Sequence, residues 1–201
     1  MMHRTVVYIH GKGGAAQEAE HYQPLFPECG VVGFDYKAAT PWEAKEEFSV
    51  YFDRLYAQNG DVILIANSIG AYFSMCALGD RPIKKALFIS PVVDMEALIG
   101  NMMAQWHITE DELREKGKVI TDTGETVSWE YLQYVRDNPI DWRIPTSILS
   151  AENDCVTSLD SMRTFSARIG ADLTVMKNGE HWFHTKEQMA YLDAWIVTAL
   201  S

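Results

Sequence analysis

Cysteine is scarce and scattered. Cys29, Cys76 and Cys155 are the only three in 201 residues. An odd number without close spacing predicts neither a disulfide framework nor a cysteine-built metal site, so all three read as reduced, small apolar side chains. Basic residues are also in short supply: 17 Lys and Arg stand against 28 Asp and Glu, for a net charge of −11. Nucleic acid and anionic membrane surfaces need clustered Lys and Arg, so neither is an expected partner. No apolar run approaches the ~20 residues of a membrane span. Met1-Met2-His3-Arg4 leads straight into a strand pattern, without the apolar segment and small-residue cleavage site of a signal peptide, and a cytoplasmic location is expected. The histidines show no H-x-x-x-H or H-E-x-x-H spacing, which argues against metal-assisted hydrolysis. Repeats, low-complexity tracts and linkers are missing as well.

What is present points to one globular domain. Hydrophobic residues make up 47% and charged residues 22%, and the length suffices for a sizeable core. Strand patterns recur at Thr5-Val6-Val7-Tyr8-Ile9, 31–36, 61–67, 86–90, 147–151 and 173–176. Helical patterns fall between or after them. A short one covers 15–21. A longer one covers 41–58, with Pro41 at its first position and Asn59-Gly60 closing it. Its Phe48, Tyr51, Phe52 and Leu55 recur at helical spacing and are expected to pack on the sheet. A third covers 71–78, and the last, 186–200, is amphipathic. Strands alternating with helices predict an α/β fold, a parallel sheet of about six strands covered on both faces. Ligands of such sheets sit at the carboxyl ends of the strands.

The alternation breaks between Pro91 and Trp142, over a stretch too long for a plain connection. Thr109-x-x-Glu112 is a capping box for a helix reaching Lys116, which Gly117 stops. A hairpin is expected over 118–126 around Asp122-Thr123-Gly124, and another short helix over 128–137.

The third strand ends in Ala66-Asn67-Ser68-Ile69-Gly70 and a helix follows at once. A strand, a sharp turn and a helix with one serine at the apex is the layout of a nucleophile elbow, G-x-S-x-G, with Ala66 in place of the first glycine. The alternative is a plain turn with Ser68 as an N-cap. An acyl-transfer serine needs a base to take its proton, a carboxylate to orient that base, and backbone N–H donors for the oxyanion. Candidates follow in chain order, each just past a strand: Asp154 in Glu152-Asn153-Asp154, then His181 in Gly179-Glu180-His181-Trp182-Phe183. Taken singly, an Asp there is often a turn residue and a His in a loop is often merely solvated. Glu152 could replace Asp154, and His184 could replace His181. His10-Gly11-Lys12-Gly13-Gly14 turns the first strand sharply and brings bare amides toward the serine, so the N–H groups of Lys12 and Ile69 are the candidate oxyanion hole. This loop fits neither G-x-x-x-x-G-K-[ST] nor G-x-G-x-x-G, which disfavours nucleotide binding.

These four motifs resemble those of α/β-hydrolases of the serine-hydrolase type, over nearly the whole chain outside the insertion. The nearest likeness is to small bacterial members trimmed to six strands. The resemblance implies a core of 1–91 and 143–201, with 92–142 inserted where many members carry a lid over the acyl pocket. It implies hydrolysis of a small carboxylic ester by Ser68, His181 and Asp154 through an acyl-enzyme, on a small-molecule acyl substrate and without cofactor or metal. The family's G-x-H-x-F arrangement favours His181 over His184. Most of the insertion's Met and aromatic side chains are expected to form the lid's own small core, with one or two among Met102, Trp106 and Trp129 touching substrate and His107 at the surface. A peptidase or amidase using the same triad is the second reading, and a non-catalytic binding protein on this scaffold the third. A serine at the elbow disfavours a haloalkane dehalogenase, which would carry Asp there. Oligomeric state has no signature in the sequence.

Overall fold

A computed structural model of the chain describes residues 4–57 and 60–200. The helix-closing Asn59 and the N-terminal Met1-Met2-His3 lie outside them. The chain divides into two compact units, one from Met1–Val93 with Asp141–Ser201 and the other Asp94–Ile140.

In the first unit, β1 (Thr5–Ile9), β2 (Gly30–Phe34), β3 (Val62–Asn67), β4 (Ile83–Ile89), β7 (Thr146–Asn153) and β8 (Asp172–Glu180) form one sheet. Its order is β2-β1-β3-β4-β7-β8, and every pairing in it is parallel. The strands read as unbroken apolar runs because both faces are covered. One face buries Val6, Tyr8, Ile63, Ile65, Leu87 and Leu149 beneath a 3₁₀ helix (Ala16–Leu25) and α7 (Lys186–Leu200). Alternation along the strands sends Val7, Ile9, Leu64, Ala66 and Phe88 to the other face, where they are fully or almost fully buried. Helix α1 (Pro41–Tyr56) packs beside α2 (Ile69–Leu78), and Phe48 of α1 meets the rings of Phe34 and Tyr36.

Local chemistry explains the helix ends. Thr40 accepts from the Glu43 N–H and the Glu43 carboxylate accepts from the Thr40 N–H, a reciprocal capping box ahead of Pro41. The helix stops at Tyr56, short of the expected position 58. Phe48 and Phe52 are buried as expected, whereas Tyr51 and Leu55 are only half-buried. The segment expected as a short helix at 15–21 is a 3₁₀ helix carrying Pro24, which has no N–H for a regular α ladder. Helix α6 (Leu159–Ile169) was not expected; Ser158 caps it by accepting from the Ser161 N–H. Strand β8 runs four residues further than its apolar core, because Glu180 pairs with Asn153 beyond a register shift.

The second unit holds α3 (Met95–Gln105), α4 (Glu110–Lys116), the antiparallel pair β5 (Lys118–Ile120) and β6 (Thr126–Ser128), and α5 (Trp129–Asp137). The Gly117 stop, the hairpin and the last helix fall where the sequence placed them, but the expected capping box forms only by half: Thr109 accepts from the Glu112 N–H, while the Glu112 carboxylate pairs with Lys116 instead of the Thr109 N–H. Helix α3 was not expected. Leu113, Val127 and Leu132 are buried. Arg136 pairs with both Glu96 and Glu110, tying α5 to α3 and α4. His107 is exposed. All three cysteines are free. Burial pushes the Cys76 thiol up to about 11. Cys155 is exposed, so it is no buried apolar side chain: the turn after β7 turns it outward. Among the described residues, no helix is long and apolar enough to cross a membrane.

Candidate active site

The strand order reverses at β1 and β3, which are sheet neighbours whose following segments leave in different directions. Such a switch point opens a crevice at the carboxyl ends of the strands. The Gly-rich loop leaves β1 there and Ser68 leaves β3.

Ser68 has φ 51° and ψ −120°, a backbone conformation that costs a non-glycine residue energy and persists only when its surroundings hold it. Two ladder-like bonds do so: the Ser68 N–H donates to Ile89 O at 3.0 Å, and the Val92 N–H donates to Ser68 O at 3.1 Å. Ser68 occupies the N-cap position of α2, yet its side chain makes no capping hydrogen bond. Its Oγ instead lies 2.9 Å from His181 Nε2. Gly70 is required by close approach. A Cβ there would overlap His10 O and stand 2.9 Å from Ile9 Cγ2, so only glycine lets α2 start against the end of β1. Ala66, fully buried, fits without strain in place of the motif's first glycine.

His181 Nδ1 lies 2.8 and 2.9 Å from the two carboxylate oxygens of Asp154. Asp154 Oδ1 also accepts from the N–H groups of Val156 at 2.8 Å and Thr157 at 3.0 Å. The residue is therefore a turn acceptor and a histidine partner at once. Burial pushes its carboxyl up, but the bonds from His181, Thr157 and Val156 outweigh burial and hold it below the usual carboxylate range. The imidazole is 18% exposed and the Asp154 side chain 0%, so the carboxylate is shielded from water while the ring keeps partial access to it. The two alternatives point elsewhere. Glu152 is exposed and accepts from the Asn178 N–H at 2.8 Å. His184 is exposed, with Nδ1 2.7 Å from Trp182 O.

The Gly-rich loop lies against the serine: a Cβ on Gly11 would stand 3.2 Å from Ser68 Cβ. The Gly14 N–H donates to Gly11 O, closing the turn that carries Lys12. Behind it the His10 ring stacks on Tyr36, whose hydroxyl donates to His10 O at 2.9 Å. Ile69 opens α2, so its N–H is one of the first-turn donors without an intrahelical acceptor. A cavity of ≈ 250 Å³ lies over these groups, with Lys12, Glu18, Asn67, Ser68, His181 and Trp182 among its walls. Sequence reasoning passed over three of them. Asn67 and Trp182 adjoin motif residues and could have been taken with them. Glu18 had no signal beyond its place three residues after a helix start. Met102, Trp106 and Trp129 lie on the second unit, on α3, at its C-terminal cap and at the start of α5, and all three are half-buried. Among the described residues, no group of three or more His, Cys, Asp or Glu side chains could hold a metal ion.

No family model matches the sequence. A protein of Mycoplasma genitalium provisionally named esterase/lipase 3 is 26% identical over 102 residues. That match spans 44% of this chain and only 37% of its relative's length. Solved structures resemble the chain over nearly its whole length. A protein of Agrobacterium vitis S4 provisionally named a hydrolase has 18% identity and a TM-score of 0.76, over 99% of this chain and 88% of its own. Alpha/beta hydrolase domain-containing protein 10 from mouse has 18% identity and a TM-score of 0.74, over 98% and 90%. Est1E from Butyrivibrio proteoclasticus has 16% identity and a TM-score of 0.73, over 99% and 89%.

Proposed function

Because the chain has the α/β-hydrolase fold, we propose that it is a serine hydrolase cleaving a small carboxylic ester. One observation carries the reading: a strained serine whose hydroxyl meets an imidazole that a desolvated, hydrogen-bonded carboxylate holds from behind. His181 Nε2 takes the proton from Ser68 Oγ as the oxygen attacks the ester carbonyl carbon. Asp154 keeps the other ring nitrogen protonated and stabilises the imidazolium. The carbonyl oxygen, now negative, is met by the N–H groups of Lys12 and Ile69. Collapse expels the alcohol, which leaves with the proton from His181, and the acyl group stays on Ser68. A water then attacks the acyl-enzyme, with His181 again the base, releasing the acid and restoring the serine. No step calls on a metal or a redox group.

Residues 92–142 enter the proposal as a lid, on the strength of their place between β4 and β7, with Met102, Trp106 and Trp129 as its substrate-facing side chains. The test is covalent labelling by a fluorophosphonate, in which Ser68 Oγ displaces fluoride at phosphorus. Native protein should label and Ser68→Ala should not. A native protein that stays unlabelled, or a Ser68→Ala variant that still labels, refutes the reading. Turnover of p-nitrophenyl esters compared with aminoacyl anilides then separates an esterase from an amidase.

A further inference from the structure

The cavity at Ser68 does not end at the triad. Glu18, Asn67 and Trp182 also line a second cavity of ≈ 370 Å³, so the two adjoin. The walls of the second include Tyr22, Ile89, Phe183, Met189 and Leu192, a mainly apolar and aromatic lining edged by His21 and His184. Glu18 stands where the two meet. Its carboxylate is held in place from both sides: the Tyr8 hydroxyl donates to Oε2 at 2.5 Å and the Ala15 N–H donates to Oε1 at 3.2 Å. Both of these partners are neutral. Burial raises the Tyr8 phenol far above its ordinary range, so it stays protonated and serves as a fixed donor. Two bonds use two of about four lone-pair directions on a carboxylate and leave the others open to the cavity.

A fixed negative charge beside a serine nucleophile opposes the oxyanion of acyl transfer. Lys12 shares this cavity wall, and a bound substrate that brings a positive charge to Glu18 would turn that opposition into attraction. Trp182, 70% exposed and stacked on His184 at 4.9 Å, borders both cavities and offers a ring face, which attracts cations. The net charge of −11 draws cations toward the surface in general.

We propose that Glu18 is a specificity-determining residue that binds an ammonium group on the substrate, while the apolar part next to that group occupies the adjoining cavity beside Trp182. This rests on the serine-hydrolase reading of the same site.

The probes are benzylammonium, its neutral counterpart benzyl alcohol and the anion phenylacetate, titrated against the native protein by calorimetry and scored in parallel for protection of fluorophosphonate labelling. Benzylammonium should bind about fivefold more tightly, the scale of a solvent-exposed ion pair. In Glu18→Gln, whose one carbonyl oxygen can accept from the Ala15 N–H while its NH2 donates to the Tyr8 hydroxyl oxygen, the charge is removed and that ratio should fall to about one. Equal binding of the two probes by native protein overturns the inference, as does a preference that survives Glu18→Gln. Tighter binding of phenylacetate than of benzylammonium also overturns it, by assigning the selectivity to Lys12. Labelling with no ammonium preference sinks the Glu18 assignment alone. An ammonium preference without labelling sinks the hydrolase reading and supports Glu18 as the cation site.

Discussion

Gly70→Ala tests how tightly the backbone around Ser68 is set. The added methyl would overlap His10 O, stand 2.9 Å from Ile9 Cγ2 and lie 3.0 Å from Ile9 O. Two of the three neighbours are backbone atoms at the end of β1, which cannot rotate away. Restoring ordinary contacts of about 3.5–4.0 Å requires α2 and the β1 loop to separate by about 1 Å. Alanine favours the helix by about 1 kcal/mol over glycine, whereas overpacking of this kind costs about 1–3 kcal/mol. The net loss is therefore up to about 2 kcal/mol, or a fall in Tm of about 4–8 °C for a chain of this size. The effect on the site is larger than the effect on stability. Ser68 lies two residues before Gly70 and Gly11 packs against it, so the same 1 Å opens the turn at Ser68 relative to the Gly-rich loop proposed to hold the oxyanion. A misplacement of that size costs about 100-fold in rate. Thermal unfolding by circular dichroism and the rate of fluorophosphonate labelling measure the two quantities. A variant with the native Tm and the native labelling rate would show that the β1–α2 approach is not constrained as argued.

Asp154→Asn should lower kcat by about 10⁴-fold, because the amide no longer holds His181 in the tautomer that accepts from Ser68. Glu152→Gln should leave kcat as it was, and a loss there comparable to that of Asp154→Asn would move the acid to Glu152. The depressed carboxyl of Asp154 also predicts a stability change in acid. Its contribution is complete above the ordinary value of 3.8 and is lost as pH falls through the lower folded-state value. Denaturant midpoints measured down through that range should fall more steeply for native protein than for Asp154→Asn, and parallel curves would contradict the assigned shift.

Local patterns carried much of the fold. Apolar β-branched runs specify buried parallel strands wherever they occur, and caps such as Thr40 with Glu43 act over three residues, so both can be read without knowing what lies nearby. The order Ser68, Asp154, His181 was legible for the same reason, since each follows a strand. Helix α6 was harder to see: its buried Met162, Phe165 and Ser166 form a sparse apolar face among charged residues.

What the sequence determined by itself is the six strands of the sheet, most of the helices and the candidates at the strand ends, because periodicity, capping and turn chemistry are properties of neighbours along the chain. Only the tertiary structure decided between near-identical candidates. Asp154 and Glu152 are two residues apart after one strand, and His181 and His184 three apart after another. Asp154 meets His181, and His181 in turn meets Ser68, because the Asp154 turn folds back onto its own Val156 and Thr157 N–H groups while Glu152 is drawn off to Asn178. Glu18 joins the cavity walls on the same ground: the 3₁₀ helix that carries it packs against β1 and β2, and that packing sets its carboxylate beside the cavity that Ser68 and His181 line.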